Sequence, residues 1–127
     1  MTAPGWIDAI VRQFGEAAGL RNFSLNARGA AAARFENGLE LRFEYTGTAL
    51  AVAATVPAPY DPPAVRRLLA YAHPDSQRGP RIRTGILPRS GRAVFAVAME
   101  EREATLPAVN AAFDALWRSA REFGGLA

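Results

Sequence analysis

A chain of 127 residues, 50% hydrophobic and 21% charged, has the material for one domain that buries roughly two thirds of the surface its unfolded form would expose. With no cysteine it can build neither a disulfide framework nor a thiolate metal site. No apolar run approaches the ~20 residues of a bilayer span, and the amino terminus lacks the basic-then-apolar order of a signal peptide, so the chain reads as cytosolic.

The first element is a helix over Pro4 to Ala18, where Ile7, Ile10, Val11, Phe14 and Ala18 recur at three- and four-residue spacing and Gly19 supplies the stop. A connection follows, with a short extended piece at Phe23-Ser24-Leu25. From Ala30 to Val56 the pattern changes to a period of two. Leu39, Leu41, Phe43 and Tyr45 alternate with Glu40, Arg42 and Glu44, which makes a strand with one apolar and one charged face. Asn37-Gly38 before it suits a two-residue hairpin and folds Ala31, Ala33 and Phe35 back as a partner. A second turn at Thr46-Gly47 leads into Leu50, Val52, Ala54 and Val56, whose alternating neighbours are mostly alanine. Such a sheet has one greasy face and must find a cover.

Pro57-Ala58-Pro59-Tyr60 ends the run of strands. Asp61-Pro62-Pro63 then starts a second helix, with Asp61 as N-cap, and His73-Pro74 ends it. Its apolar stripe is Val65, Leu68, Leu69 and Ala72. Two more strands, Arg81 to Leu87 and Arg92 to Met99, flank the turn Pro88-Arg89-Ser90-Gly91. The second of them is apolar on both faces and belongs in the middle of a sheet. A charged connection, Glu100 to Ala104, precedes a last helix from Leu106 to Phe123, striped by Leu106, Val109, Phe113, Leu116, Trp117, Ala120 and Phe123. Two helices suffice to cover the sheet, which leaves the middle one over.

Signals for chemistry are few. His73, Asp75 and Ser76 resemble a hydrolase set, but a triad is built by spatial convergence, so neighbours on one loop read as a helix end and a turn. Glu100, Glu101 and Glu103 fit a solvated connection ahead of a helix N-terminus better than a cation site, which wants more oxygens at fixed spacing. Neither a phosphate loop nor a dinucleotide fingerprint occurs. Arg66, Arg67, Arg78, Arg81, Arg83, Arg89 and Arg92 crowd one third of the chain. They make a small basic nucleic-acid-binding α+β domain the alternative reading, although the aromatic motif of RNA-binding sheets is missing.

Taken together, the sequence resembles the class I chaperones of the bacterial type III secretion system, the CesT/SycE-like family. The resemblance is carried by Phe14-Gly15 and Gly19-Leu20, the unit Phe35-Glu36-Asn37-Gly38-Leu39-Glu40-Leu41, the helix end Leu68-Leu69-Ala70-Tyr71-Ala72, Thr84-Gly85, and Phe113 with Trp117. It implies an α+β fold of order α-β-β-β-α-β-β-α, a twisted antiparallel sheet flanked by helices, in one domain spanning 1–127. It also implies a cytoplasmic homodimer without enzymatic activity, cofactor or membrane insertion. Such a dimer binds the amino-terminal segment of a secreted effector and keeps it extended for secretion. For the effector surface, the first helix and the meander offer Trp6, Ile10, Phe14, Leu41, Phe43 and Val52. The stripe Val65, Leu68, Leu69 and Ala72, with Ile82 and Ile86, either meets its symmetry mate across a two-fold axis or is core. Many members of the family are acidic, whereas this chain has a formal charge of +3 and a pI near 10.2. That departure suggests an acidic effector segment or a second partner around the arginines.

Overall fold

The computed structural model describes residues 2–77 and 79–126, with the elements α1 (Gly5–Ala17), β1 (Ala30–Arg34), β2 (Glu40–Tyr45), β3 (Ala49–Pro57), α2 (Pro62–Ala72), β4 (Arg83–Leu87), β5 (Arg92–Glu100) and α3 (Leu106–Gly124). The order is the predicted α-β-β-β-α-β-β-α. The strands form one antiparallel sheet, β1-β2-β3-β5-β4. As its two apolar faces require, β5 lies between β3 and β4.

Register decides which side chains share a face. Ala33, Leu41, Ala54, Phe95 and Thr84 stand in one row across the sheet, and Ala31, Phe43, Val52 and Val97 in the next. Every helix covers this same face. Phe14 of α1 stacks on Phe43 (centroids 5.2 Å apart), Tyr71 of α2 stands edge-on to Phe95 (5.4 Å), and Phe123 of α3 packs on Phe95 (5.6 Å). The core between the layers holds Ile7, Val11, Leu39, Leu41, Leu50, Val56, Val109 and Leu116, none of them exposed. Burial of that apolar area is the main source of stability.

The helix boundaries follow their caps. Asp61 accepts a bond from the Ala64 N–H (2.9 Å) and Thr105 from the Ala108 N–H (3.2 Å), while Gly125 closes α3 in the left-handed region (φ 64°). One reading of the sequence is corrected. Asn37-Gly38 is not a two-residue hairpin turn: Phe35 donates its N–H to the Leu39 carbonyl (2.9 Å), so the loop spans 36–38. Within it only Gly38 takes positive φ (91°), and the Asn37 side chain accepts from the Leu39 N–H (3.1 Å) instead. Phe23-Ser24-Leu25 forms no strand. It is an irregular strap that buries Phe23 over Gly15 and is pinned by the Leu25 N–H donating to Asp8 Oδ1 (2.8 Å).

The middle helix is not left over. Through Ala64, Leu68 and Tyr71 it closes the helix layer above β4, beside α3.

Candidate interaction surfaces

With all helices on one side, the other side of the sheet is bare among the described residues. Alternation places Ala32, Arg42, Ala53, Ala96 and Arg83 in one row there and Ala30, Glu44, Ala51 and Ala98 in the next. On the central strands the short side chains of Ala51, Ala53, Ala96 and Ala98 make a shallow apolar floor. Longer charged side chains rise beside it: Arg42 and Glu44 on β2, Arg83 on β4. One end of the floor is closed by Arg92, whose guanidinium lies back across the sheet. It donates to Thr55 Oγ1 (2.8 Å), the Thr55 carbonyl (2.9 Å) and the Gly38 carbonyl (2.7 Å), 3.8 Å from Glu40, which also takes Arg34 at 2.8 Å.

Both outer strands, β1 and β4, pair with one neighbouring strand only; Asn26 takes the outward N–H and carbonyl of Ala30, and the edges beyond it are placed to accept an added strand. Next to β4, the outer side of α2 carries a second apolar stripe at i, i+4 and i+7: Val65, Leu69 and Ala72. Leu69 is 62% exposed, and Leu87 at the end of β4 is 48% exposed. A helix ordinarily buries one stripe and wets the rest. Here the neighbouring stripe, about 100° round the helix from the buried one, is also apolar.

Concavities lie at two further places among the described residues. One, of about 720 Å³, opens at the end of the sheet and is lined by Trp6, Thr48, Ala49, Glu100, Glu101 and Arg102. The other, of about 530 Å³, lies between α2, α3 and the loop after α2, with Arg67, Tyr71, Gln77, Ile82, Arg118 and Glu122 in its lining. Its polar groups are mostly committed. The Tyr71 hydroxyl donates to Glu122 Oε1 (2.8 Å), Gln77 accepts from the Ile82 N–H (2.9 Å), and Arg67 donates to the Phe123 carbonyl (2.7 Å) with its guanidinium 4.6 Å over that ring. Burial, helped by the Glu122 carboxylate, pushes the Tyr71 phenol up to about 12.

Of the residues offered for an effector, Phe14, Leu41, Phe43 and Val52 lie in the core, and their side chains are closed to a partner. The apolar face of the meander is the one that α1 and α3 already cover. Trp6 is 48% exposed, and Ile10 is partly buried at the margin of the core. The second set also divides: Leu68 and Ile82 point inward, Leu69 points outward, and Val65, Ala72 and Ile86 lie between. Missing from the sequence reading was the alanine floor itself, whose signal was the run of alanines opposite Leu50, Val52 and Ala54.

The arginine-rich stretch does not hold together as one track. Arg92 is spent on the sheet and Arg67 on the end of α3; Arg66 is on α2, Arg83 on the open face, Arg89 in the β4–β5 turn, and Arg81 in the loop before β4. Arg78 lies outside the described residues. His73 Nδ1 accepts the Asp75 N–H (3.1 Å), which ties both into a turn. Among the described residues no group of acidic or histidine side chains is placed to hold a metal ion, and no helix is long and apolar enough to cross a membrane.

No family model matches the sequence, and no curated protein matches it. The fold, in contrast, is similar to solved structures over nearly its whole length. A chain of the ExsC–ExsE complex superimposes with a TM-score of 0.77 at 15% identity, covering 98% of this chain and 96% of that one. A chain of the HopA1–SchA chaperone–effector complex gives 0.71 at 16% identity, with 92% and 91% covered. The Yersinia pestis type III secretion chaperone SycH, solved with a stable fragment of YscM2, gives 0.71 at 11% identity, with 92% and 98% covered. The chain has the type III secretion chaperone fold.

Proposed function

We propose that this protein is a class I type III secretion chaperone, a cytoplasmic, non-enzymatic homodimer that binds the amino-terminal segment of a secreted effector and keeps it competent for export. The observation that carries the reading is the near-complete match of fold to chains solved as chaperones with a bound protein partner. It is supported by a sheet that, among the described residues, carries every helix on one face, leaves the alanine floor of the other uncovered, and pairs each outer strand with one neighbour only. A fold alone hosts many functions. Here the fold and the open surfaces ask for the same occupant, an extended polypeptide with apolar side chains.

In this reading the client is held on the bare face of the sheet and along its β1 edge, with Trp6 and Ile10 at its margin. The dimer forms through the outer stripe of α2, Val65, Leu69 and Ala72, together with Ile86 and Leu87 of β4. Twofold symmetry sets each such stripe against its own copy, so exposed Leu69 finds cover without any further segment.

The test is co-expression of the tagged chain with amino-terminal segments of proteins encoded by neighbouring genes. A stoichiometric complex that survives purification supports the proposal. A chain that captures none of these segments, yet binds generic RNA or DNA with an affinity falling steeply with salt, sinks it.

A further inference from the structure

The groove at the end of the open face carries charge against the excess of the whole chain. In a protein of formal charge +3, its lining places Glu100 and Glu101 against Arg102 alone. Glu103 lies in the adjoining turn, Glu101–Glu103. One wall is Trp6, a large aromatic left 48% exposed. Its indole N–H has no hydrogen-bond partner among the described residues. The lip is held in place: the Glu101 N–H donates to the Thr48 carbonyl (3.0 Å), and the Tyr45 hydroxyl behind it donates to the Gly47 carbonyl (2.9 Å). The groove is also continuous with the alanine floor, because Ala49 and Glu100 form the register pair next to Ala51 and Ala98.

An indole that shares a groove with carboxylates makes a receptor for an organic cation. The ring attracts a guanidinium or ammonium placed over it, and the carboxylate supplies a charge-assisted hydrogen bond. The chain itself shows that a guanidinium is accepted here: Arg102 Nε lies 2.8 Å from Glu100 Oε2. That pair is solvated, with the Arg102 side chain 83% exposed, so an incoming cation that also covers Trp6 can replace it.

We infer that this groove is a recognition pocket for an arginine or lysine side chain of the bound polypeptide, which enters the alanine floor from the Trp6 end. The charges along the floor agree with that polarity. Glu44 and Glu100 stand near the groove, whereas Arg42 and Arg83 flank Ala53 and Ala96, four residues further along β3 from Ala49, about 13 Å. A segment that is basic at one end and acidic about 13 Å on is matched at both. The identity of the polypeptide rests on the chaperone reading; the chemistry of the pocket does not.

The experiment is an NMR titration of the ¹⁵N-labelled full chain with N-acetyl-arginine amide, N-acetyl-leucine amide and N-acetyl-glutamate amide. The arginine derivative is expected to shift the Trp6 indole N–H and the Glu100 and Glu101 amides saturably. Its affinity should fall by about fivefold or more in Trp6→Ala and in a Glu100→Gln, Glu101→Gln variant. Equal shifts from the leucine or glutamate derivative, or an arginine affinity unchanged in the Gln variant, overturn the inference. Since the probe is a single amino-acid derivative, this result stands or falls whether or not co-expression finds a client.

Discussion

Arg92 belongs by sequence to the arginine-rich stretch, yet it is placed as a clasp, and replacing it with methionine separates the two roles. Arg92→Met keeps an unbranched stem over the sheet and removes the donors to Thr55 Oγ1, the Thr55 carbonyl and the Gly38 carbonyl. Hydrogen bonds from a charged donor contribute about 1.5–3 kcal/mol each, not additively, and the 18% exposure of the Arg92 side chain lets water recover part of the loss. Thr55, only 4% exposed, is left with a hydroxyl that has lost this partner, at a cost of about 1–3 kcal/mol. The expected destabilisation is therefore about 2–4 kcal/mol, or roughly 8–15 °C in Tm for a chain of this size. Urea unfolding followed by circular dichroism, at one fixed protein concentration, measures it. Arg34→Met is the control, because its partner Glu40 is the same but its side chain is 85% exposed; its loss should stay under about 1 kcal/mol. A loss below about 1 kcal/mol for Arg92→Met, or equal losses for the two variants, would refute the clasp.

Other consequences follow from single placements. Gly15→Ala, which in most helices stabilises by about 1 kcal/mol, should here destabilise by about 1–2 kcal/mol, since the new Cβ would stand 2.6 Å from Phe23 Cβ; a higher urea midpoint would contradict that close approach. Leu68→Ala should cost about 2–4 kcal/mol by opening the core, whereas Leu69→Asp should leave the protomer folded and halve the solution mass; a Leu69→Asp protein still at twice 13.6 kDa by light scattering removes the outer stripe from the interface. Tyr71 adds an alkaline signature. Its pKa is raised from 10.0 to about 12, so the folded state favours the neutral phenol. That contribution is complete below pH 10 and lost as pH climbs toward 12. Tyr71→Phe should flatten stability across this window and remove the highest-pH step of the phenolate absorbance titration.

The order of elements was legible because each strand and helix repeats its apolar residues with its own period, and because Asp61 and the residue pair His73-Pro74 mark ends that physics enforces. Leu41, Phe43 and Val52 show where that legibility stops. A period of two says that one face is apolar, not whether helices of the same chain or a partner will cover it, and here α1 and α3 do. The stripe of α2 posed the same question. Its answer divides at adjacent residues, Leu68 inward and Leu69 outward, a distinction of about 100° around the helix that a list of apolar positions does not resolve. The alanines of β3 and β5 were in plain view, but small side chains acquire meaning as a floor only once register sets Ala51 against Ala98 and Ala53 against Ala96. Arg92 could not be read at all, since its partners lie 37 and 54 residues away.

In the chaperone reading the bare side of the sheet holds another polypeptide. Hydrogen–deuterium exchange of the co-expressed complex against the free chain tests it most directly. New protection is expected on the edge strand β1 and at the Trp6 end of the open face, with the core of α3 unchanged. A client bound with no protection anywhere on the sheet would contradict it.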